Sequence, residues 1–101
     1  MNKVDAAIKE RRQQSMEIVY AREQGRCILC NNAGQEFHEI TQRSHYPKKH
    51  QVEAGIFEPE NMALLCLRCH QNYGNTKWGE LTFRELLFLR YDIGERQSLV
   101  W

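Results

Sequence analysis

The feature that most constrains the fold is a pair of Cys-x-x-Cys sequences, at residues 27–30 and residues 66–69, the second of which runs directly into His70. Each two-residue step turns the backbone tightly enough to point both sulfur atoms at one ion, and four thiolates can close a tetrahedral zinc site. The predicted ligands of one structural zinc ion are Cys27, Cys30, Cys66 and Cys69.

Two disulfides are the alternative use of four cysteines. The N-terminal residues are charged and amphipathic and lack the apolar segment of a signal peptide. No stretch approaches the ~18–20 continuous apolar residues of a membrane helix. We therefore expect a cytoplasmic protein that makes no membrane contact, and in a reducing compartment paired knuckles favour zinc over disulfides. A thiol-redox role is the weaker alternative, because it needs only one Cys-x-x-Cys pair and a longer βαβ framework.

The size and charge of the chain limit the kinds of partner it can have. With 101 residues, of which 42% are hydrophobic, the chain is expected to form a single domain over residues 1–101. A metal bound only by the folded form adds its binding energy to folding, so the metal-free chain should fold poorly. Lys plus Arg number 14 against 13 Asp plus Glu, so any contact with nucleic acid must depend on local clusters of positive charge.

The clearest basic cluster is residues 43–50, which contains three fixed cations, two histidines and no carboxylate. A solvated loop and a phosphate-binding loop are equally compatible with this composition. The candidate DNA contacts are Arg43, His45, Lys48 and Lys49. Three aromatic residues are candidates for stacking on bases, namely Tyr46, Tyr73 and Trp78. The remaining aromatic residues considered are expected in a core that joins the terminal helices: Phe57, Phe83, Phe88, Tyr91 and Trp101.

Hydrophobic spacing and turn signals predict a small α+β protein. In the N-terminal segment, residues 1–24, an Asn2–Asp5 capping pair and apolar residues at helical spacing predict a helix over residues 2–24, ended by Gly25. Alternation predicts a strand over residues 35–41, and a second short strand is expected over residues 51–57.

Two further helices are predicted toward the C-terminus. One begins at the second knuckle and runs to about Tyr73, where Gly74 can cap it. The C-terminal extension, residues 77–101, contains a Thr82-x-x-Glu85 capping box, which predicts a helix from Phe83 to about Tyr91.

The order of motifs along residues 26–75 resembles the zinc-knuckle branch of the HNH endonucleases. A Cys-x-x-Cys is followed by the sequence Phe-His-Glu-Ile at residues 37–40, and then by residues 61–70, which run from Asn61 to the Cys-His pair. The unit shared by that family is the ββα-metal, or His-Me, finger. The resemblance implies such a unit over residues 25–76, stapled by zinc and flanked by the terminal helices, and a phage or mobile-element source.

The resemblance also implies metal-assisted hydrolysis of DNA phosphodiester bonds. A divalent cation (Mg²⁺, Mn²⁺ or another transition metal) would bind the scissile phosphate, a neighbouring side chain would deprotonate the attacking water, and an asparagine would orient that base. The implied catalytic residues are His38, Glu39, Asn61 and His70. Of these, His38 and His70 are the implied ligands of the divalent ion.

Two departures from the family pattern leave alternatives open. Strict alignment makes His38 the metal ligand and places Glu39 at the position of the base, whereas in the other register His38 is itself the base. The family often has another histidine one helical turn after His70, and that position is Gly74 in this chain. A zinc-knuckle module that binds nucleic acid without cutting it is therefore the first alternative, and a protein-interaction domain is the second.

Overall fold

The computed structural model describes residues 1–95, which form three α-helices and one two-stranded antiparallel sheet. The elements in chain order are α1 (Lys3–Arg22), β1 (Glu36–Glu39), β2 (Met62–Leu65), α2 (Leu67–Tyr73) and α3 (Lys77–Tyr91). The predicted α+β class is confirmed at this level. Trp101, which was expected in the core, lies outside the described residues.

Helix α1 forms where the sequence predicts a helix. The Asn2 side chain accepts a hydrogen bond from the Asp5 amide at 2.8 Å, so the predicted N-terminal cap is present. The buried face carries Ile8, Ser15 and Val19. The helix ends at Arg22, slightly earlier than predicted, because residues 24 and 25 adopt positive φ angles of 56° and 70°.

Strand β1 confirms the first predicted strand over its central residues. It pairs with β2 so that His38 lies opposite Ala63 and Glu39 lies opposite Met62. His38 is buried and its neighbours in the strand are less so, as expected from the alternation of side chains between the two faces of a sheet.

The second predicted strand, residues 51–57, is wrong. Its backbone closes local turns, with Ala54 N–H donating to His50 O and Ile56 N–H donating to Gln51 O, and Gly55 has a φ of 79°. The true partner of β1 is β2, a run of four residues that are all buried. Such a run lacks the alternation of a half-buried strand, because neither of its faces meets solvent.

Helix α3 begins six residues earlier than the predicted start at Phe83. Thr76 is its N-terminal cap and accepts a hydrogen bond from the Gly79 amide at 2.9 Å. Thr82 lies within the helix, so the predicted capping box is wrong, because a competing cap upstream already satisfies the first turn. The helix ends at Tyr91, where Asp92 takes a left-handed φ of 57°.

The buried aromatic residues belong to separate clusters, so they do not form one core that joins the terminal helices. Phe83 packs around the cysteines with Ile28 and Leu87. Phe57 packs beneath α1 with Ile8. The C-terminal ends of α1 and α3 are tied by the Tyr91 hydroxyl, which donates to the Glu23 carboxylate at 2.7 Å just after α1. Burial, followed by this carboxylate, raises the pKa of Tyr91.

Candidate metal centre and histidine cleft

The four cysteines lie together in space, as predicted. Their Sγ atoms are all within 4.8 Å of one another, and Cys30 Sγ lies 3.5 Å from Cys66 Sγ. A tetrahedral zinc site with Zn–S bonds of about 2.3 Å requires S···S separations of about 3.8 Å, whereas a disulfide requires about 2.05 Å. All four thiols are free, so the donor set fits one structural metal ion such as zinc and contradicts the disulfide alternative.

The fold positions each knuckle by backbone hydrogen bonds. In the first knuckle the Cys27 amide donates to Asn32 O at 2.7 Å, and the Ile28 amide donates to Leu64 O in β2 at 3.0 Å. In the second knuckle Cys66 caps α2, and its Sγ accepts the Cys69 amide at 3.4 Å. This hydrogen bond is the main cause that lowers the pKa of Cys66 to about 7, which favours the thiolate that a metal requires.

The two histidines singled out in the sequence meet across β1 and α2. The ring centroids of His38 and His70 are 5.1 Å apart, with an interplanar angle of 60°. His38 is 6% exposed, and its Nε2 has no hydrogen-bond partner among residues 1–95. The Nδ1 of His70 lies 3.3 Å from Glu36 Oε1, which leaves the opposite ring nitrogen for another partner. A buried polar nitrogen usually has a hydrogen-bond partner, and imidazole nitrogens are common ligands of divalent cations, so the unpartnered His38 Nε2 beside a second imidazole marks this cleft as a candidate site.

The environment of His38 favours its neutral form. Burial lowers the pKa of His38, the nearby His70 ring lowers it further, and Glu39 partly opposes both. A neutral imidazole can accept a proton or bind a metal ion. His38 is therefore in the neutral state that is required of either a general base or a metal ligand.

Glu39 lies in the same cleft but has its carboxylate oxygens engaged. The Arg43 Nε donates to Oε1 at 3.0 Å, and the Arg12 Nη2 lies 3.6 Å from Oε2. The cleft has a volume of about 270 Å³ and is lined by Phe37, His38, Glu39, Gln42, Arg43 and His70. The two arginines therefore hold Glu39 as one side of this cleft.

Asn61 fixes the chain just beyond β1. Its Oδ1 accepts the Thr41 amide at 2.8 Å, and its Nδ2 donates to Thr41 O at 3.0 Å and to Ile56 O at 2.9 Å. Arg84 on α3 donates to the same Oδ1 at 3.1 Å and also to the Thr41 hydroxyl. The amide thus extends the pairing of β1 by side-chain bonds and holds the segment that follows His38.

Gly74 cannot carry a further ligand in this fold. A Cβ atom at this position would lie 2.5 Å from the His70 carbonyl oxygen and 2.7 Å from His70 Cδ2. The next residue, Asn75, accepts a hydrogen bond at its Oδ1 from Gln42 Nε2 at 2.7 Å. Among residues 1–95, the four cysteines are the only group of three or more His, Cys, Asp or Glu side chains close enough to share one ion.

The predicted DNA-contacting residues lie in different surroundings. Arg43 lines the histidine cleft, and its guanidinium lies over the Phe57 ring at 5.0 Å. His45 lines a neighbouring groove, Lys48 forms an ion pair with Asp5 of α1, and Lys49 is exposed. The segment forms two short 3₁₀ turns, Arg43–His45 and Lys48–His50, so it is partly ordered by local hydrogen bonds.

The exposed aromatic residues lie away from the two histidines. The rings of Tyr73 and Trp78 are 5.0 Å apart and line a groove beside Cys30 and Cys66. Tyr46 is exposed in the basic segment. None of the three lines the histidine cleft within residues 1–95.

Sequence reasoning missed four side chains that shape the site. They are Arg12, Glu36, Gln42 and Arg84, whose contacts at the site join residues far apart in the chain. Comparison of the chain with protein-family models, with curated proteins and with solved structures gave no match. Within residues 1–95, no helix is long and apolar enough to span a bilayer.

Proposed function

We propose that this protein is an HNH-type endonuclease that hydrolyses DNA phosphodiester bonds with a divalent cation and is stabilised by a four-cysteine zinc site. The observation that carries the proposal is the approach of His38 and His70, whose ring centroids are 5.1 Å apart. These rings project from an antiparallel strand pair and the helix that follows it, in the order β1, β2, α2. This order supports the ββα-metal unit that the sequence motifs resemble.

The side chains of the cleft can perform the parts that phosphodiester hydrolysis requires. His70, together with His38 where that residue is not the base, would hold a divalent cation, which would stabilise the negative charge that develops on the phosphate and the leaving oxygen. The Glu36 carboxylate fixes the orientation of the His70 ring. His38, neutral because of its burial, either accepts the proton of the attacking water or serves as a ligand.

Two further groups position the reacting parts. Asn61 holds the backbone after His38, which is the orienting role that the resemblance implies. Arg43 lines the cleft with a guanidinium that Glu39 fixes, and a guanidinium suits contact with a phosphate oxygen. The carboxylate oxygens of Glu39 are engaged by arginines, so its role in the proposed site is to hold Arg43 in place.

Nicking of supercoiled plasmid tests the proposal. The zinc-loaded protein is incubated with plasmid and Mg²⁺ or Mn²⁺, beside His38→Ala, His70→Ala and the matched control His50→Ala, whose ring is exposed and pairs with Glu53. Wild type and His50→Ala should nick the plasmid in the presence of the added ion. The other two variants should be inactive while retaining stoichiometric zinc. A chelator is not used as the control, because it removes the structural and the added metal alike. The zinc content is therefore measured for every variant.

A specific observation favours one alternative, a module that binds nucleic acid without cutting it. Within residues 1–95 no third His, Cys, Asp or Glu side chain approaches the two imidazoles closely enough to share an ion with them. Absence of nicking with either ion, together with a shift of labelled DNA on a gel, would establish this alternative. Loss of nicking in His50→Ala equal to that in His38→Ala, with DNA binding retained on a gel, would also contradict the assigned site.

A further inference from the structure

One polar side chain in the histidine cleft has no role in the function proposed above. Gln42 follows the segment that Asn61 holds and precedes the short turn Arg43–His45. It is half-buried and lines the cleft together with His38 and His70.

The Gln42 amide is paired with Asn75. The Gln42 Nε2 donates to Asn75 Oδ1 at 2.7 Å, so the nitrogen end of the amide is committed. No residue within 1–95 donates a hydrogen bond to Gln42 Oε1, and His38 Nε2, in the same cleft, is buried and also unpartnered. One cleft therefore combines a buried imidazole nitrogen without a partner and an amide oxygen to which no residue within 1–95 donates.

We propose that Gln42 Oε1 is a third protein ligand of the divalent cation, and that Asn75 positions it. The proposal rests on the cation site of the proposed function. Gln42 would thus supply the further metal ligand that residue 74 cannot supply, because a Cβ atom at residue 74 would overlap the His70 ring. Amide oxygens are hard ligands that bind Mg²⁺ and Mn²⁺, whereas imidazole alone favours softer transition metals. Gln42 thus biases the site toward the ions that phosphoryl chemistry commonly uses.

Binding of Mn²⁺ to the zinc-loaded full-length chain, measured from the free-ion signal in electron paramagnetic resonance, tests this proposal without reference to nicking. Gln42→Ala should weaken Mn²⁺ binding by about 10-fold, the size of effect seen when a group supporting a metal site is removed. Gln42→Glu should tighten it by a similar factor of about 10, because it places a charged oxygen at the same position. The control is Gln71→Glu, which adds the same charge on the exposed side of α2 beside His70 and should leave Mn²⁺ affinity within about twofold of wild type.

The role of Asn75 is tested in the same assay. Asn75→Ala should weaken Mn²⁺ binding severalfold, because the amide of Gln42 is then free to rotate. The double variant Gln42→Ala/Asn75→Ala should bind Mn²⁺ no more weakly than Gln42→Ala alone, since Asn75 acts through Gln42.

The outcomes separate this inference from the function on which it rests. If His70→Ala abolishes Mn²⁺ binding and both Gln42 variants bind as wild type does, the cation site stands and Gln42 is not a ligand. Equal tightening by Gln71→Glu and Gln42→Glu would reduce the effect to general electrostatics and overturn the assignment. Wild type that binds no Mn²⁺ would overturn both proposals, whereas the expected Mn²⁺ pattern without any nicking would overturn only the nuclease.

Discussion

Replacement of Asn61 by alanine should destabilise the protein more than replacement of an exposed asparagine by alanine. Asn61 is 7% exposed, and its amide makes three hydrogen bonds to backbone groups of Thr41 and Ile56 and accepts a fourth from Arg84. A neutral hydrogen bond contributes about 1 kcal/mol and one to a charged group about 1.5 kcal/mol or more. Because Thr41 and Arg84 are half-buried, water can replace part of the hydrogen bonding that they lose. We therefore expect a loss of about 3–4 kcal/mol in the free energy of unfolding.

Urea unfolding of the zinc-loaded protein, followed by circular dichroism, measures this loss. The matched control is Asn72→Ala on the exposed side of α2, which should change the free energy of unfolding by less than about 0.5 kcal/mol. Because small domains have only about 5–15 kcal/mol of stability, the Asn61 variant should unfold at a clearly lower urea concentration. A loss below about 1 kcal/mol for Asn61→Ala would refute the claim that its amide holds the chain after β1.

A double-mutant cycle separates the Arg84 contact from the backbone contacts. Arg84→Met removes the guanidinium that reaches Asn61 Oδ1 and the Thr41 hydroxyl. The losses from Arg84→Met and Asn61→Ala should not add, and the coupling free energy should be about 1 kcal/mol. Strictly additive losses would show that Arg84 acts independently of Asn61.

Three further predictions follow from other parts of the structure. Cys66→Ser should lose bound zinc and yield little soluble folded protein, and a well-folded, zinc-containing Cys66→Ser protein would contradict the assignment of four cysteine ligands. Gly74→Ala should lose about 1–3 kcal/mol of stability, because its Cβ atom would overlap the His70 ring, and the nuclear magnetic resonance signals of that ring should shift. A stabilised variant with unmoved signals would contradict this reasoning. Lys49→Ala should weaken DNA binding and its salt dependence more than Lys48→Ala, since Lys48 is already paired with Asp5, and unchanged affinity in both variants would remove the segment from the interface.

Elements with strong local signals could be predicted from the sequence, and elements defined by tertiary contacts could not. The cap at Asn2 and the knuckle at Cys66 each specify a helix start within a few residues. Strand β2 carries no such signal, because a fully buried run of four apolar residues has no period to detect. The start of α3 was misassigned because Thr76 and Thr82 are both chemically competent caps, and only the packed structure selects one.

In the candidate site, too, residues in local motifs could be predicted from the sequence, and residues that depend on tertiary contacts could not. The cysteines stand in short motifs whose spacing has a direct chemical meaning, and the two histidines were indicated by the resemblance of their motifs to those of HNH endonucleases. Glu36 and Gln42 reach the site through contacts with residues 34 and 33 positions further along the chain, and no local pattern encodes such pairs. The resemblance implied that the two histidines meet, but the burial of His38 could be expected only once β1 and α2 were placed side by side.

The metal centre and the histidine cleft are mechanically connected through α2. Cys66 and Cys69 fix the first turn of this helix, and His70 is the next residue. The same turn is joined to the start of β1 by two contacts, the Leu67 amide donating to Gln35 Oε1 at 3.1 Å and the His70 ring meeting Glu36. A metal ion in the thiolate site would hold the first turn of α2, and these two contacts hold that turn beside the strand that carries His38. In a chain this small, such a constraint would supply the rigidity that the proposed second ion site needs, because the hydrophobic clusters on either side of the sheet are separate.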